Sequence, residues 1–158
     1  MNKSIEVQVA CIEKNIPPVE NIKRWFCASL LNNIENIEVC IRIVDEPEIQ
    51  HLNQQYRHKN KPTNVLSFSY LDEFDQDTEV HGDIILCASI IQKEANAQSK
   101  SDLAHWAHML VHGGLHLQGF DHENDTDAEI MEAHEIKILD KLGFNNPYAI
   151  NNVVNRES

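Results

Sequence analysis

Three histidines in the second half of the chain have the spacing needed to hold one metal ion. His112 and His116 are four residues apart in a segment with helical periodicity, and that spacing puts both imidazoles on one face of a helix, one turn apart. Gly119 follows, and glycine readily adopts the left-handed conformation that ends a helix and turns the chain back. His122 lies just beyond that turn. The pattern predicts that His112, His116 and His122 bind one Zn²⁺ per chain.

Such a site would keep one coordination position free for chemistry, because three protein ligands and a water are typical of catalytic zinc sites. The spacing His-x3-His-x5-His is that of the metzincin metalloproteases. In those enzymes a general-base glutamate directly follows the first histidine, whereas Gly113 stands at that position here. Glycine has no side chain that can accept a proton, so the usual zinc-peptidase mechanism lacks its base. The motif therefore predicts a metal-dependent hydrolase of another kind.

The residues around the three histidines have several interpretations. Asp121 directly precedes His122, and its carboxylate could orient a ligand imidazole, accept a proton from the attacking water or stabilise the turn. His108 stands one turn before His112 on the same helix face. It could be an alternative metal ligand, but we expect it to support His112 or to pack in the core. His105 is expected to pack or to lie on the helix surface.

A short basic segment, Arg57 with Lys59 and Lys61, supplies the candidate nucleic-acid-binding residues. A guanidinium binds phosphate through two parallel hydrogen bonds and stays charged at any relevant pH. At a metal site without a glutamate base, a nearby cation suits phosphodiester cleavage better than peptide cleavage. We therefore interpret Arg57 as a catalytic residue that also contacts the substrate phosphate. For Lys59 and Lys61, attraction of a nucleic-acid backbone and an ordinary solvated loop both remain open.

Composition limits the possible partners and location. The 158 residues include 13 Lys and Arg against 25 Asp and Glu, for a formal net charge of −12. Coating of duplex nucleic acid requires many cationic phosphate contacts, so we expect no DNA partner. No apolar stretch reaches the roughly 18 residues of a membrane span, and the first residues lack the apolar core of a signal peptide. The sequence predicts one cytoplasmic domain over residues 1–158.

The four cysteines form no CxxC pair. Three of them fall within apolar patterns, which predicts buried free thiols rather than a zinc or redox site. They are Cys11, Cys27, Cys40 and Cys87.

Two kinds of hydrophobic periodicity alternate along the chain and define the elements that must position these residues. Period-two or continuous apolar runs predict four strands, at 5–9, 37–43, 65–70 and 84–87. Helical spacing and capping residues predict five helices: one from Val19, one capped by Asp45 and Glu48, one capped by Ser89 to about Ser99, one from Asp102 to about Leu117, and one capped by Thr126 with Glu129 and ended by Gly143.

These elements predict an α+β fold in which a single mixed four-stranded sheet is packed with about five helices. Residues 72–79 contain five acids in eight positions, and we expect a solvated loop there. That loop is too short to hold a crossover helix, so the third and fourth strands should be an antiparallel pair.

The sequence resembles the YbeY family of bacterial single-strand endoribonucleases, also called rRNA maturation factors. The resemblance covers roughly residues 5–148 and rests on Arg57 with 62–68, on Gly82-Asp83-Ile84, and on 105–109 with 112–122. It implies that His112, His116 and His122 bind zinc and that Arg57 is the functional arginine of the cleft. It also implies cleavage of single-stranded ribosomal RNA, in maturation of the small-subunit rRNA 3′ end and in ribosome quality control, with the ribosome or ribosomal proteins as partners.

Two other functions remain compatible with the sequence. One is another metallohydrolase, either a peptidase, which Gly113 opposes, or a phosphoesterase. The other is a zinc-stabilised assembly factor that binds ribosomal proteins or precursor rRNA without cleaving RNA.

Overall fold

This computed structural model describes residues 2–71 and 78–149, which contain four strands and five helices. The predicted fold class is confirmed, while most of the predicted loop at 72–79 lies outside the described residues. In chain order the elements are β1 (Asn2–Val9), α1 (Val19–Ala28), β2 (Asn36–Val44), α2 (Glu46–Arg57), β3 (Val65–Ser69), β4 (Glu79–Cys87), α3 (Ala88–Ala97), α4 (Asp102–Leu117) and α5 (Asp125–Lys141).

The sheet has the strand order β1-β2-β4-β3. β1 and β4 both run parallel to β2, with Ile5 opposite Val39 and Ile41 opposite Ile84. β3 pairs with β4 in the antiparallel sense, as predicted from the short connection. β4 begins at Glu79 and is therefore longer than the predicted run at 84–87.

The two faces of the sheet are covered by different helices, because successive strand residues point to opposite sides. Ile84 packs into the main core with Leu110 and Leu115 of α4. Its neighbour Ile85 packs on the other face, in a smaller core that contains Ile49 of α2. α4 thus lies at the centre, against α1, α3, α5 and the sheet. No helix within the described ranges is long and apolar enough to cross a membrane.

α4 lies very close to α1 at Gly114, where there is no room for a side chain. A Cβ atom at this position would lie 1.9 Å from Ser29 Oγ and 2.8 Å from Ser29 Cβ. Ser29 is fully buried at the end of α1, and its hydroxyl donates a hydrogen bond to the Phe26 carbonyl oxygen at 2.6 Å. Because Gly114 has no side chain, α1 and α4 can pack at this short distance.

Gly114→Ala is expected to lower the free energy of unfolding by about 1–3 kcal/mol, the usual cost of overpacking a core. In an uncrowded helix the same change would be stabilising. Urea unfolding followed by circular dichroism measures the effect. The double variant Ser29→Gly/Gly114→Ala, which clears the space, should recover most of the loss. An unchanged or raised unfolding midpoint in Gly114→Ala would contradict the packing argument.

The predicted cap of α5 is wrong by two residues. The helix begins at Asp125, and Asn124 rather than Thr126 is its N-cap. The side-chain oxygen Oδ1 of Asn124 accepts a hydrogen bond from the Asp127 backbone N–H at 2.8 Å. Asparagine is among the best N-cap residues and ranks above threonine, so the earlier residue takes the position and Thr126 becomes part of the first turn.

Two other predicted caps use their side chains elsewhere. Asp45 stands at the N-cap of α2 but forms no capping box with Glu48, because its carboxylate accepts from the Ile12 backbone N–H at 3.0 Å. Ser89 lies inside α3, and its hydroxyl donates to Glu46 at 2.6 Å. Both side chains join segments far apart in sequence, which local spacing does not reveal.

All four cysteines are free thiols, as predicted. Only Cys87 is buried, however, so the expectation of burial is wrong for at least two of the three cysteines to which it applied. The partly exposed cysteines are Cys11, Cys27 and Cys40.

Candidate metal centre

The end of α4 and the turn that follows it bring three histidines together. His112 and His116 lie in the last two turns of the helix. Gly119 follows with a φ of 98°, and its backbone N–H donates to the His116 carbonyl oxygen at 3.0 Å. A positive φ is readily adopted only by glycine, and it turns the chain back so that His122 returns to the same side.

The imidazole nitrogens of this group have the separation that one small cation requires. His112 Nε2 and His116 Nε2 are 3.2 Å apart. Two nitrogens bound to one tetrahedral ion at about 2.0–2.1 Å lie about 3.3–3.4 Å from each other. One nitrogen of His122 falls within 4.8 Å of the other two. The donor set therefore fits a divalent metal that accepts imidazole ligands.

The surroundings keep the His116 imidazole in the form that binds metal. Burial, and then the neighbouring rings of His112 and His122, lower the pKa of His116 to about 4. A neutral imidazole has a free lone pair on one nitrogen, which is the state that a metal ligand needs. At neutral pH His116 therefore offers a lone pair rather than a proton.

A buried carboxylate that the sequence analysis did not single out orients the first histidine. Glu135 of α5 is fully buried and accepts a hydrogen bond from His112 Nδ1 at 2.5 Å. With its proton on Nδ1, the His112 ring presents the lone pair of Nε2 to His116 and His122. A carboxylate behind a histidine ligand is a common way to fix its tautomer and ring orientation.

Glu135 also gathers His108 and Tyr148 around itself. His108 Nε2 lies 3.4 Å from one carboxylate oxygen, and the Tyr148 hydroxyl donates to the same oxygen. Burial opposes ionisation, but the hydrogen bonds from His108 and His112 outweigh it and lower the pKa of Glu135 to about 2. His108 is thus a buried supporting residue, one of the two roles expected for it. His105 is also buried, and its ring pairs with Glu94 at 2.8 Å.

Gly113, at the position of the metzincin base, faces the strands of the sheet. A Cβ atom there would meet Ile84 Cγ2 at 3.1 Å and Ser67 Oγ at 3.2 Å. The residue is buried against the sheet. A glutamate at this position would be directed into the packed layer between α4 and the strands, so the absence of a base at 113 is a consequence of how α4 is packed.

One cavity of about 350 Å³ brings the predicted site residues together. Its walls come from α2 and the loop after it, from β3, from α4 and from the turn after α4. The lining includes Arg57, Lys59, Lys61, His112, His116, Asp121 and His122.

Arg57 is held at the mouth of this cavity by two contacts. Its Nη2 donates to the Ser67 carbonyl oxygen at 3.0 Å, and its guanidinium carbon lies 5.6 Å from the centre of the Phe68 ring. These contacts use one edge and one face of a group that carries five N–H donors. Within the described residues the other donors of Arg57 make no hydrogen bond, so they can bind an anion in the cavity that also contains the three histidines.

The loop that carries the two lysines is fixed by Asn53, which sequence reasoning missed. Asn53 is buried, and its side-chain NH₂ donates to the Lys61 carbonyl oxygen at 2.9 Å. The backbone carbonyl oxygen of Asn53 accepts a hydrogen bond from the Lys59 backbone N–H at 3.2 Å. His58, which precedes Lys59, has a φ of 60° and ends α2 in the left-handed conformation. Lys59 and Lys61 are therefore exposed side chains on an ordered backbone.

Asp121 contributes a carboxylate to the cavity. One of its oxygens accepts from the His122 backbone N–H at 2.7 Å, which is the turn-stabilising contact among its predicted alternatives. The orientation of a ligand ring, another role predicted for Asp121, is performed on His112 by Glu135. Asp121 is the only acidic residue in the cavity lining within the described ranges.

Two comparisons with known proteins relate this geometry to others. A family model described as Endoribonuclease YbeY matches residues 7–143. A similar fold occurs in the solution structure of TM1509 from Thermotoga maritima, which is 28% identical with a TM-score of 0.62, over 86% of this chain and 88% of that chain.

Proposed function

The chain belongs to the YbeY endoribonuclease family, and we propose from this that it is a Zn²⁺-dependent endoribonuclease that cleaves single-stranded RNA. Family membership supports an endoribonuclease role in rRNA processing. The observation that carries the finer proposal is the shared cavity, in which a three-imidazole cluster faces an arginine. A metal ligand set beside a fixed guanidinium suits a phosphodiester better than a peptide, because only the phosphodiester carries an anion in its ground state.

We assign the metal to His112, His116 and His122. When bound there, Zn²⁺ would act as a Lewis acid on the phosphate and lower the pKa of an attacking water to about 7. Glu135 would hold the His112 ring in the tautomer that binds the ion.

The remaining steps belong to the side chains around the ion. The free donors of Arg57 bind the non-bridging oxygens of the scissile phosphate and stabilise the charge that grows on them in the transition state. Asp121, as the carboxylate of the cavity, accepts the proton released by the water. Lys59 and Lys61 attract the flanking phosphates. Because the whole chain carries a net charge of −12, this local basic segment restricts where RNA approaches.

We propose further that residues 1–158 act as one domain in the cytoplasm. Its proposed target is the 3′ end of small-subunit rRNA, with a role in ribosome quality control and with the ribosome or ribosomal proteins as partners. These assignments extend the family relationship to this chain.

Parallel assays with the full chain test the proposed activity. A single-stranded RNA oligonucleotide, its duplex with a complementary strand, and casein are each incubated with the protein, with and without a chelator. Chelator-sensitive cleavage of the single strand alone is expected. Casein hydrolysis would favour the peptidase alternative, and absence of all three activities would favour the assembly-factor alternative.

Glu135→Gln is expected to weaken Zn²⁺ binding by about 10- to 100-fold, the usual effect of losing a carboxylate behind a ligand histidine. Gln keeps the size of the side chain but removes the charge that holds the proton on His112 Nδ1. Competition with a chromophoric chelator measures the dissociation constant. The matched control is Glu129→Gln, an exposed position on the same helix. Equal affinities in Glu135→Gln and the control would contradict the orienting role.

A further inference from the structure

An exposed aromatic surface continues the cleft beyond Arg57. The Tyr56 and Phe68 rings have centroids 5.3 Å apart at an interplanar angle of 58°. The Arg57 guanidinium lies over the same Phe68 ring. We call Tyr56, Phe68 and the Arg57 guanidinium the aromatic platform. Arg57 belongs both to the platform and to the lining of the cavity that contains the three histidines, so the two surfaces are continuous.

The two rings of the platform differ in how deeply they are buried. Phe68 is partly buried and packs against the smaller core formed with α2. Tyr56 rests on it and is 57% exposed, which is unusual for a large aromatic side chain. A rigid base therefore supports an exposed ring, so a flat ligand placed on Tyr56 needs no rearrangement of the core.

Charge determines which kind of flat ligand suits this surface. Arg57, Lys59 and Lys61 line the cavity that adjoins the platform, while the chain as a whole is strongly acidic. A ligand with an apolar face and an adjacent negative charge matches this arrangement. A nucleotide base joined to its phosphate has both properties, and aromatic side chains beside cationic ones are typical of surfaces that bind single strands.

We propose that the aromatic platform stacks an unpaired base next to the scissile phosphate. This inference rests on the proposed ribonuclease function and adds a source of strand selectivity to it. In a duplex the faces of each base are already covered by its neighbours, so stacking on Tyr56 requires an unpaired nucleotide. With one base on the platform, Arg57 binds the adjoining phosphate and directs it to the three histidines.

A second exposed tyrosine provides a matched control. Tyr70 is 68% exposed, but its hydroxyl donates to the Asp83 carboxylate. It borders a separate cavity that also contains Glu6 and Glu38. These acids repel a phosphate backbone, so Tyr70 should contribute nothing to RNA binding despite its exposure.

The experiment measures binding of a fluorescein-labelled 2′-O-methyl single-stranded oligonucleotide to the Zn²⁺-loaded full chain, by anisotropy. Tyr56→Ala is expected to raise the dissociation constant about tenfold, within the range that base–aromatic stacking supplies. Tyr56→Phe, which keeps the ring, and Tyr70→Ala should each stay within about twofold of the unsubstituted protein. Replacing the stacked base by an abasic spacer should remove the difference between Tyr56→Ala and the unsubstituted protein.

Unchanged affinity in Tyr56→Ala, or an equal loss in Tyr70→Ala, overturns the platform. Cleavage of an unmodified RNA strand by the unsubstituted protein, measured in the same preparation, separates this result from a failure of the proposed function. If the unsubstituted protein cleaves the strand while Tyr56→Ala binds as tightly, only the platform is wrong. If the unsubstituted protein does not cleave RNA, the proposed function and the inference that rests on it both fail.

Discussion

His116→Ala is expected to lose stoichiometric Zn²⁺ and RNA cleavage together. The His116 ring centroid lies 4.6 Å from that of His112 and 5.0 Å from that of His122. Without it two nitrogens remain, one fewer than the three protein ligands usual for catalytic zinc. A metal ion supplies several kcal/mol of transition-state stabilisation, and each 1.4 kcal/mol is about tenfold in rate. We therefore expect the cleavage rate to fall by at least about a thousandfold.

Elemental analysis of the purified variant and cleavage of a single-stranded RNA oligonucleotide measure the two losses. His51→Ala is the matched control, because His51 is an exposed histidine on α2, and it should retain both properties. Circular dichroism verifies that His116→Ala is folded. Cleavage at the normal rate by a His116→Ala protein shown to be free of metal would refute the metal-dependent mechanism.

Arg57→Glu is expected to abolish cleavage while the zinc content stays the same. The guanidinium touches the backbone of β3 and the ring of Phe68, and neither contact reaches a histidine. Removing one hydrogen-bond donor to a developing charge costs about 10²–10³ in rate, and a carboxylate in its place adds repulsion of the phosphate. Arg57→Lys should lose less, because it keeps the charge but not the two parallel donors.

The control for this substitution is Arg24→Glu, which makes the same change of charge at an exposed position on α1. It should leave cleavage almost unaffected. If Arg57→Glu loses its zinc, Arg57 is structural and its catalytic assignment is wrong. If it cleaves as fast as Arg24→Glu, the phosphate is bound by other groups.

The fold could be predicted from the sequence because its elements are defined by local patterns. Strand β2 alternates apolar residues, of which Ile41 and Ile43 are fully buried, and α4 carries a long apolar run ended by a glycine turn. Such patterns depend on periodicity within one segment. The antiparallel pairing of β3 with β4 followed from the length of their connection.

The predicted helix caps were wrong where the side chain forms a hydrogen bond with a segment far away in the sequence. Asp45 and Ser89 have the residue types of caps, but they bond to Ile12 and Glu46. Both partners lie more than 30 positions away in sequence. Spacing rules describe competition between neighbours, so they could not have identified these contacts.

Local spacing also identified only part of the candidate site. Its three histidines are close in sequence and were found by spacing, whereas Glu135 lies on another helix. A signal did exist, because Met131, Glu135 and Leu139 form the buried stripe of α5 at intervals of four. A carboxylate on such a stripe requires partners, and the histidines of α4 are those partners.

Anomalous diffraction from crystals of the full chain grown with one equivalent of Zn²⁺ tests the central claim most directly. The account predicts a single strong peak about 2.0–2.1 Å from one nitrogen each of His112, His116 and His122, with a position free of protein ligands on the side of Arg57. A peak elsewhere, histidine rings turned away from each other, or a fourth side chain that completes the coordination would contradict it.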